Sequence, residues 1–212
     1  MRIRITFAKQ GALRYIGHLD LQRLWERAAR RADLPLVYSQ GFHPQPKIQL
    51  AAALPLGFSS RCEIVDFWLS EDRTLEIADL QAALPEGIQI LALEQVDERG
   101  PALQTLVTSA DYQVTLLNPP DGSELNRRLA TVMEAESLPR QRRGKIYDLR
   151  PLIESLNFFP AGDGQQARLH MRLSARQSAT GRPEEVLDAL GIPLEETRIE
   201  RTRLIFAQER LE

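Results

Sequence analysis

The order of the predicted strands and helices, which repeats once along the chain, is the feature that most constrains the fold. Near the N-terminus Ile3, Ile5 and Phe7 alternate with polar residues, which is the two-residue period of a half-buried strand. Residues 19–32 change to a helical period, because their apolar side chains fall within a stripe about 100° wide. Further elements are predicted as strands at residues 47–54, 63–69 and 88–96 and a helix at residues 74–84. The first half therefore has the order β-α-β-β-α-β.

The second half of the chain shows the same order of elements. Its strands are predicted at residues 112–117, 145–159, 168–174 and 198–207, and its helices begin near Ser123 and Pro183. This order is the ferredoxin-like arrangement. The sequence thus predicts an α+β protein of two tandem ferredoxin-like domains with antiparallel sheets, one at residues 1–100 and one at residues 101–212.

The charge of the chain is distributed unevenly, although the net charge of the 212 residues is only −2. Residues 1–50 have a net charge of +6, residues 51–106 a net charge of −7, and the remaining residues a net charge of −1. A basic first quarter of this kind predicts an anionic partner more directly than the overall balance does.

The composition also excludes several classes of protein. One cysteine, Cys62, rules out an internal disulfide and a cysteine-based zinc site. The longest apolar stretch, residues 50–58, is much shorter than the roughly 20 residues of a membrane span. No nucleotide-binding glycine loop or nucleophile motif is present in the sequence. We therefore expect a cytoplasmic protein with no bound cofactor and no membrane association.

Two of the three histidines lie in glycine-containing loops at the two ends of the first predicted helix. His18 and Asp20, at its start, could bind a phosphate, orient a catalytic base or ligate a metal. The alternative is that one of them caps the helix and the other bonds to a neighbouring strand. No spacing typical of a metal site accompanies them, so no metal is predicted. His18, Asp20 and His43 are the candidate catalytic residues.

The loop at residues 38–47 contains two prolines, which fix its backbone angles, together with two aromatic residues, a histidine and a lysine. Tyr38 and Phe42 could stack on bases, while His43 and Lys47 could contact phosphate. The alternative is a rigid crossover whose aromatic side chains fill the core. In the functional interpretation this loop converges with Tyr15, His18 and Asp20 on one site.

Two basic segments are further candidates for binding nucleic acid. Arg23 and Arg27 lie on the polar face of the first helix, where Glu26 and Asp33 could instead neutralise them as ordinary solvated surface. A second cluster of cations precedes a predicted strand and could be either a phosphate-binding loop or a disordered one. The cluster spans residues 140–145, and its candidates for contact with nucleic acid are Arg142, Arg143 and Lys145.

Several of these motifs resemble a known family. Five segments look like segments of the bacterial radical SAM-linked proteins, a domain fused to or encoded beside radical SAM enzymes. They lie at residues 4–9, 15–20, 38–47, 147–151 and 182–185. That resemblance implies a radical SAM enzyme as a partner and no established activity. The N-terminal pattern is also similar to that of CRISPR repeat-processing endoribonucleases, which implies tandem ferredoxin-like domains and RNA binding. Their C-terminal glycine-rich loop has no counterpart here, because residues 198–212 contain no glycine, and this argues against cleavage.

The sequence favours an RNA-binding protein or accessory subunit that acts with an RNA-modifying or radical SAM partner. One alternative is an RNA-processing nuclease or transferase that uses His18, Asp20 and His43. Another is a protein-interaction module that docks on a radical SAM enzyme. The chain itself is not expected to be a radical SAM enzyme, because one cysteine cannot hold an iron–sulfur cluster.

Overall fold

A computed structural model of the protein describes residues 1–72, 74–142, 144–162 and 164–207. The chain divides into two compact units, Met1–Leu106 and the residues from Val107 onward. Both units mix helices with strands, and the strand pairs within each unit are antiparallel. None of the described helices combines the length and the apolar composition that a membrane span requires.

The first unit contains four antiparallel strands together with helices. Its elements are β1 (Arg2–Lys9), α1 (His18–Arg31), β2 (Ile48–Leu50), β3 (Ser59–Trp68), α2 (Ile77–Ala82), β4 (Ile88–Val96) and α3 (Leu103–Leu106). A 3-10 helix, Gly11–Tyr15, precedes α1. The strands are arranged in the order β4-β1-β3-β2, since β1 pairs with both β3 and β4 while β2 pairs with β3.

The core of the first unit forms where α1 packs on the sheet around Trp25. The Trp25 ring makes edge contacts with Phe7, at 4.8 Å between centroids, and with Phe67, at 5.8 Å. Aromatic pairs in this geometry contribute about 0.5–1.5 kcal/mol beyond the area that they bury. Leu21 and Ala28 extend the same buried face of α1, so the apolar stripe predicted from the sequence is the face that fixes the helix.

The other face of this sheet contains charged residues that are nevertheless buried. Asp66 on β3 accepts hydrogen bonds from the guanidinium groups of Arg2 and Arg4 on β1 at 2.6–3.0 Å. Arg2 also donates to the carbonyl oxygens of Gly100 and Pro101, each at 3.1 Å. The segment after β4 thus closes over this end of the sheet and removes Arg2 from water.

The second unit contains five further strands that pair antiparallel, and a separate two-stranded hairpin. Its elements are β5 (Val107–Leu116), α4 (Gly122–Glu134), β6 (Pro139–Arg142), β7 (Lys145–Asp148), β8 (Ile153–Phe159), β9 (Arg168–Arg176), β10 (Ala179–Thr180), α5 (Pro183–Ala189) and β11 (Thr197–Phe206). The five strands have the order β11-β5-β9-β8, with the short β10 also paired to β9. Strands β6 and β7 pair with each other to form the hairpin.

Two of the predicted strands differ from the structure in their extent. The strand predicted at residues 145–159 is divided into β7 and β8, because a 3-10 helix, Arg150–Leu152, turns the chain between them. The Asp148 carboxylate fixes this turn by accepting hydrogen bonds from the backbone N–H groups of Leu138 and Arg150. Strand β2 covers only three residues of the predicted 47–54. The short helix α3 was not predicted.

Candidate nucleic-acid interface

Residues 37–47 form a hairpin rather than an irregular loop. The Lys47 N–H donates to the Val37 carbonyl oxygen at 2.7 Å, and the Ser39 N–H donates to the Gln45 carbonyl oxygen at 2.8 Å. The Ser39 hydroxyl accepts a further bond from the Gln45 N–H at 3.0 Å. The backbone of this aromatic hairpin is therefore fixed by its own bonds as well as by its two prolines.

The aromatic side chains of this hairpin face outward. The Phe42 side chain, at the tip, is fully exposed, and Tyr38 is 42% exposed. His43 is exposed as well. A fixed backbone that holds an apolar ring in water offers both faces of that ring to a ligand. The alternative that this segment fills the core is wrong for Phe42.

Lys47 lies at the base of the aromatic hairpin, where it contacts the buried Trp68 ring. The Lys47 Nζ is 4.5 Å from the ring centroid, and the Arg2 guanidinium carbon is 4.6 Å from it. The Trp68 indole N–H donates to the Glu98 carbonyl oxygen at 3.4 Å. Cation–π contacts of this type position the lysine, so its ammonium has a structural role whether or not it meets a phosphate.

The arginines of α1 differ in whether an acidic group neutralises them. Arg23 forms an ion pair with Asp20 at 3.4 Å, and Arg30 forms one with Glu26. Arg27 and Arg31 are exposed. Within the part of the chain that the structure describes, no acidic side chain pairs with either of these two. They are the cations of α1 that remain available to an external anion.

Arg23, Arg27 and Arg31 form a column along one side of α1, because residues four apart lie on the same side of a helix and about 6 Å apart along its axis. The C-terminal end of this column leads directly to the aromatic hairpin. Residues 32–36 connect the two, and a bridge between Leu36 and Leu69 holds the connection against the end of β3. We call the aromatic hairpin and this arginine column together the hairpin–helix surface.

Tyr15, His18 and Asp20 lie at the opposite end of the first unit. The Lys9 Nζ, at the end of β1, donates to the Ile16 carbonyl oxygen at 3.4 Å, which places the start of α1 there. The aromatic hairpin extends past Trp68, which pairs with Arg2 at the beginning of β1. The eight residues of β1 separate the two ends by about 23 Å. The expectation of one site that holds both His18 and His43 is therefore wrong.

The start of α1 also differs from the alternative in which His18 or Asp20 caps the helix. Gly17, and neither His18 nor Asp20, is the N-cap residue of the helix. The Asp20 carboxylate in the first turn has a favourable position near the helix N-terminus, in addition to its ion pair with Arg23. Among the described residues, no group of three or more potential ligands could hold a metal ion.

Arg142 and Lys145 pair with each other across the β6–β7 hairpin, and Arg143 lies outside the described residues. The register places Arg140 and Tyr147 on the same face as this pair. That face packs toward α5. Arg140, the first cation of this cluster, is therefore directed at an acidic residue of the same unit.

The contacts with α5 involve its acidic residues. The Tyr147 hydroxyl donates a hydrogen bond to the Glu185 carboxylate, and Arg140 forms an ion pair with Asp188 at 3.6 Å. Burial, and then the bond to Glu185, raise the pKa of Tyr147 to about 12. The phenol is therefore neutral at physiological pH and acts as the donor.

Sequence reasoning did not single out Arg31, although the signal was available. Arg23 has an acid three residues before it, and Arg30 has one four residues before it. Arg27 and Arg31 have no acid at either of these helical spacings in either direction within α1. Spacing alone therefore separates the neutralised arginines from the available ones.

Comparison with protein families places the chain among bacterial proteins. The family model described as "Uncharacterized protein conserved in bacteria (DUF2344)" matches residues 2–183. The chain belongs to this family. No curated protein matches the sequence at a significant level.

Comparison with solved structures shows a shared fold. A chain in the crystal structure of a Cbf5-Nop10-Gar1 complex matches at a TM-score of 0.51 with 10% identity, over 95% of this protein and 48% of that chain. A chain of the archaeal box H/ACA sRNP Nop10-Cbf5 complex matches at 0.45 with 12% identity, over 98% and 49%. A chain of an H/ACA RNP bound to a substrate RNA also matches at 0.45 with 12% identity, over 95% and 47%. The protein spans about half the length of these chains, and at such identity the first match shows the fold alone.

Proposed function

We propose that this protein binds single-stranded RNA through the hairpin–helix surface, as an RNA-binding protein or accessory subunit. The observation that supports the proposal most is the fully exposed Phe42 ring on a fixed hairpin. That hairpin is connected to α1, on which Arg27 and Arg31 pair with no acidic side chain of the described residues. An exposed ring is suited to stacking on a base, and an unpaired guanidinium is suited to a phosphate. The motif resemblance favours RNA as the nucleic acid.

The same proposal interprets the two units as tandem ferredoxin-like domains, with residues 1–100 and 101–212 as their approximate extents. Two matching strand orders support this interpretation, β4-β1-β3-β2 in the first unit and β11-β5-β9-β8 in the second. The β6–β7 hairpin is then an insertion in the second domain. Arg142, Arg143 and Lys145 are proposed as a secondary contact for RNA.

In this proposal the protein binds RNA and is neither a nuclease nor a transferase. A catalytic set of His18, Asp20 and His43 would require groups from two ends of the first unit, which β1 separates by about 23 Å. General acid–base catalysis requires such groups within hydrogen-bond reach of one substrate atom. The arrangement therefore favours binding over turnover.

The accessory role in the proposal concerns a radical SAM enzyme in the cytoplasm. It is supported by the motifs at residues 15–20 and 38–47, which look like those of the radical SAM-linked proteins, and by a composition with one cysteine, which suits a reducing compartment. Affinity capture of the protein from native cells, with identification of bound proteins and sequencing of bound RNA, tests this role. Absence of a radical SAM enzyme from the captured proteins would remove that partner from the proposal.

The binding proposal is tested by fluorescence anisotropy with a labelled RNA strand, and with DNA of the same sequence. Phe42→Ala is expected to weaken binding about 5- to 160-fold, because one stacked base contributes roughly 1–3 kcal/mol. The matched control is Phe159→Ala, since Phe159 is also an exposed phenylalanine but lies in the second unit against His170. Equal losses for the two variants, or no binding by the unaltered protein, would contradict the proposal.

A cleavage assay on the same RNA separates binding from catalysis. The proposal predicts intact RNA after prolonged incubation. Cleavage that His18→Ala abolishes, without a loss of affinity, would instead favour the RNA-processing enzyme.

A further inference from the structure

We infer that Tyr15 is a second stacking platform, and that the RNA runs along α1 from the aromatic hairpin to Tyr15. The inference rests on the proposed function and specifies its ligand as an unpaired strand of at least about six nucleotides. It differs from the expected single site in that the two aromatic platforms lie at opposite ends of one helix.

The backbone around Tyr15 is held on both sides. The Gly57 N–H donates to the carbonyl oxygen of Arg14 at 2.8 Å, and the buried Lys9 ammonium donates to the carbonyl oxygen of Ile16 at 3.4 Å. Tyr15 itself ends a 3-10 helix immediately before α1. These bonds fix the backbone of Tyr15 before a ligand binds. Stacking of a base on the ring would therefore require little further ordering of the protein.

The Tyr15 ring itself remains accessible. The Arg14 guanidinium carbon lies 4.8 Å from the ring centroid, yet the Tyr15 residue is 62% exposed. The ring lies against Gly57, where a Cβ atom would be 3.9 Å from the Tyr15 Cε1 atom. An arginine beside an exposed ring adds a cation next to the stacking surface, which is the combination that single-stranded nucleic acids favour.

The arginine column lies between the two platforms. The 14 residues of α1 are about 21 Å long. Charges in a strand with stacked bases recur about every 3.4 Å along its axis, so about six nucleotides cover this length. A duplex keeps its internal bases paired and stacked on both faces, so that they cannot stack on protein rings. The ligand that fits this spacing is therefore an unpaired strand.

The test is a length series of RNA strands from 2 to 12 nucleotides, together with a duplex of the longest sequence, measured by competition. For the unaltered protein, affinity should rise up to about six nucleotides and then level off. Tyr15→Ala should lower affinity for an eight-nucleotide strand at least about fivefold, the lower limit for one stacked base. Tyr15→Phe, which keeps the ring, should match the unaltered protein, and a thermal melt of each variant confirms that it is folded.

The outcomes distinguish this inference from the proposed function. If Tyr15→Ala matches the unaltered protein at every length while Phe42→Ala still weakens binding, the second platform is wrong and the proposed function remains. If the duplex binds as tightly as the strand, the inferred single-stranded path is wrong. If no RNA of any length binds, the proposed function itself fails.

Discussion

Replacing Asp66 by Asn is expected to destabilise the first unit by about 3–5 kcal/mol, the cost of removing one partner from a buried ion pair. The Asp66 side chain has no exposed area, and the Arg2 side chain is only 2% exposed. The substitution keeps the shape of the side chain and removes its charge. Arg2 would then hold a buried positive charge that no carboxylate compensates.

The expected loss in the free energy of unfolding follows from the different solvent exposure of the two arginines that Asp66 contacts. The Arg4 side chain is 19% exposed, so water can solvate part of its charge after the substitution. Arg2 has no such access, and its remaining acceptors are neutral backbone carbonyl oxygens, including those of Gly100 and Pro101. Most of the lost free energy of unfolding should therefore arise at Arg2.

Urea unfolding followed by tryptophan fluorescence measures this effect in the first unit, because both tryptophans, Trp25 and Trp68, lie there. The matched control is Asp20→Asn, which makes the same chemical change in an ion pair whose side chains are 63% and 68% exposed. Exposed pairs contribute roughly 0–1 kcal/mol. Equal losses for the two variants, or a loss below about 1 kcal/mol for Asp66→Asn, would refute the account of this network.

Two further predictions concern pH and backbone conformation. The pKa of Tyr147 is raised to about 12, so the stabilisation that the neutral Tyr147 side chain gives the second unit is complete below the ordinary tyrosine pKa near 10 and is lost as the pH rises toward 12. Tyr147→Phe should abolish this loss of stability in thermal melts at alkaline pH. If the variant loses stability with pH as the unaltered protein does, the bond to Glu185 is contradicted. Gly87→Ala should destabilise the first unit clearly more than Gly11→Ala in urea unfolding. Both glycines have positive φ, but only at Gly87 would a Cβ atom lie 2.7 Å from a backbone atom, the Gln10 carbonyl oxygen. Equal losses of stability for the two variants would contradict this contact.

The parts of the fold that could be predicted are those that local periodicity encodes. Alternation at Ile3, Ile5 and Phe7 predicted β1, and the apolar stripe of residues 19–32 predicted α1. The division of residues 145–159 was missed because β7 and the following 3-10 helix depend on hydrogen bonds to the Asp148 carboxylate, which no periodicity reveals. Short elements such as α3 give too few residues for a pattern.

The candidate site was predicted in its residue types but not in its geometry. The sequence indicated that Phe42 and Arg27 belong to functional segments, but their exposure depends on long-range packing. Alternation placed Arg2 on the solvent side of a half-buried strand, whereas Asp66 and the segment after β4 bury it. A charge on a predicted polar face is ordinarily exposed, so only the tertiary structure shows this one to be internal.

The slope of RNA affinity against salt concentration tests the central claim most directly. Each phosphate contact on a single strand contributes about 0.7 to the slope of log affinity against log salt. We predict that Arg27→Ala combined with Arg31→Ala lowers this slope by about 1.4, while Arg127→Ala combined with Arg176→Ala, which removes the same charge from exposed positions of the second unit, leaves it unchanged. Equal slopes for the two double variants would contradict the account, because RNA would then respond to net charge and not to the hairpin–helix surface.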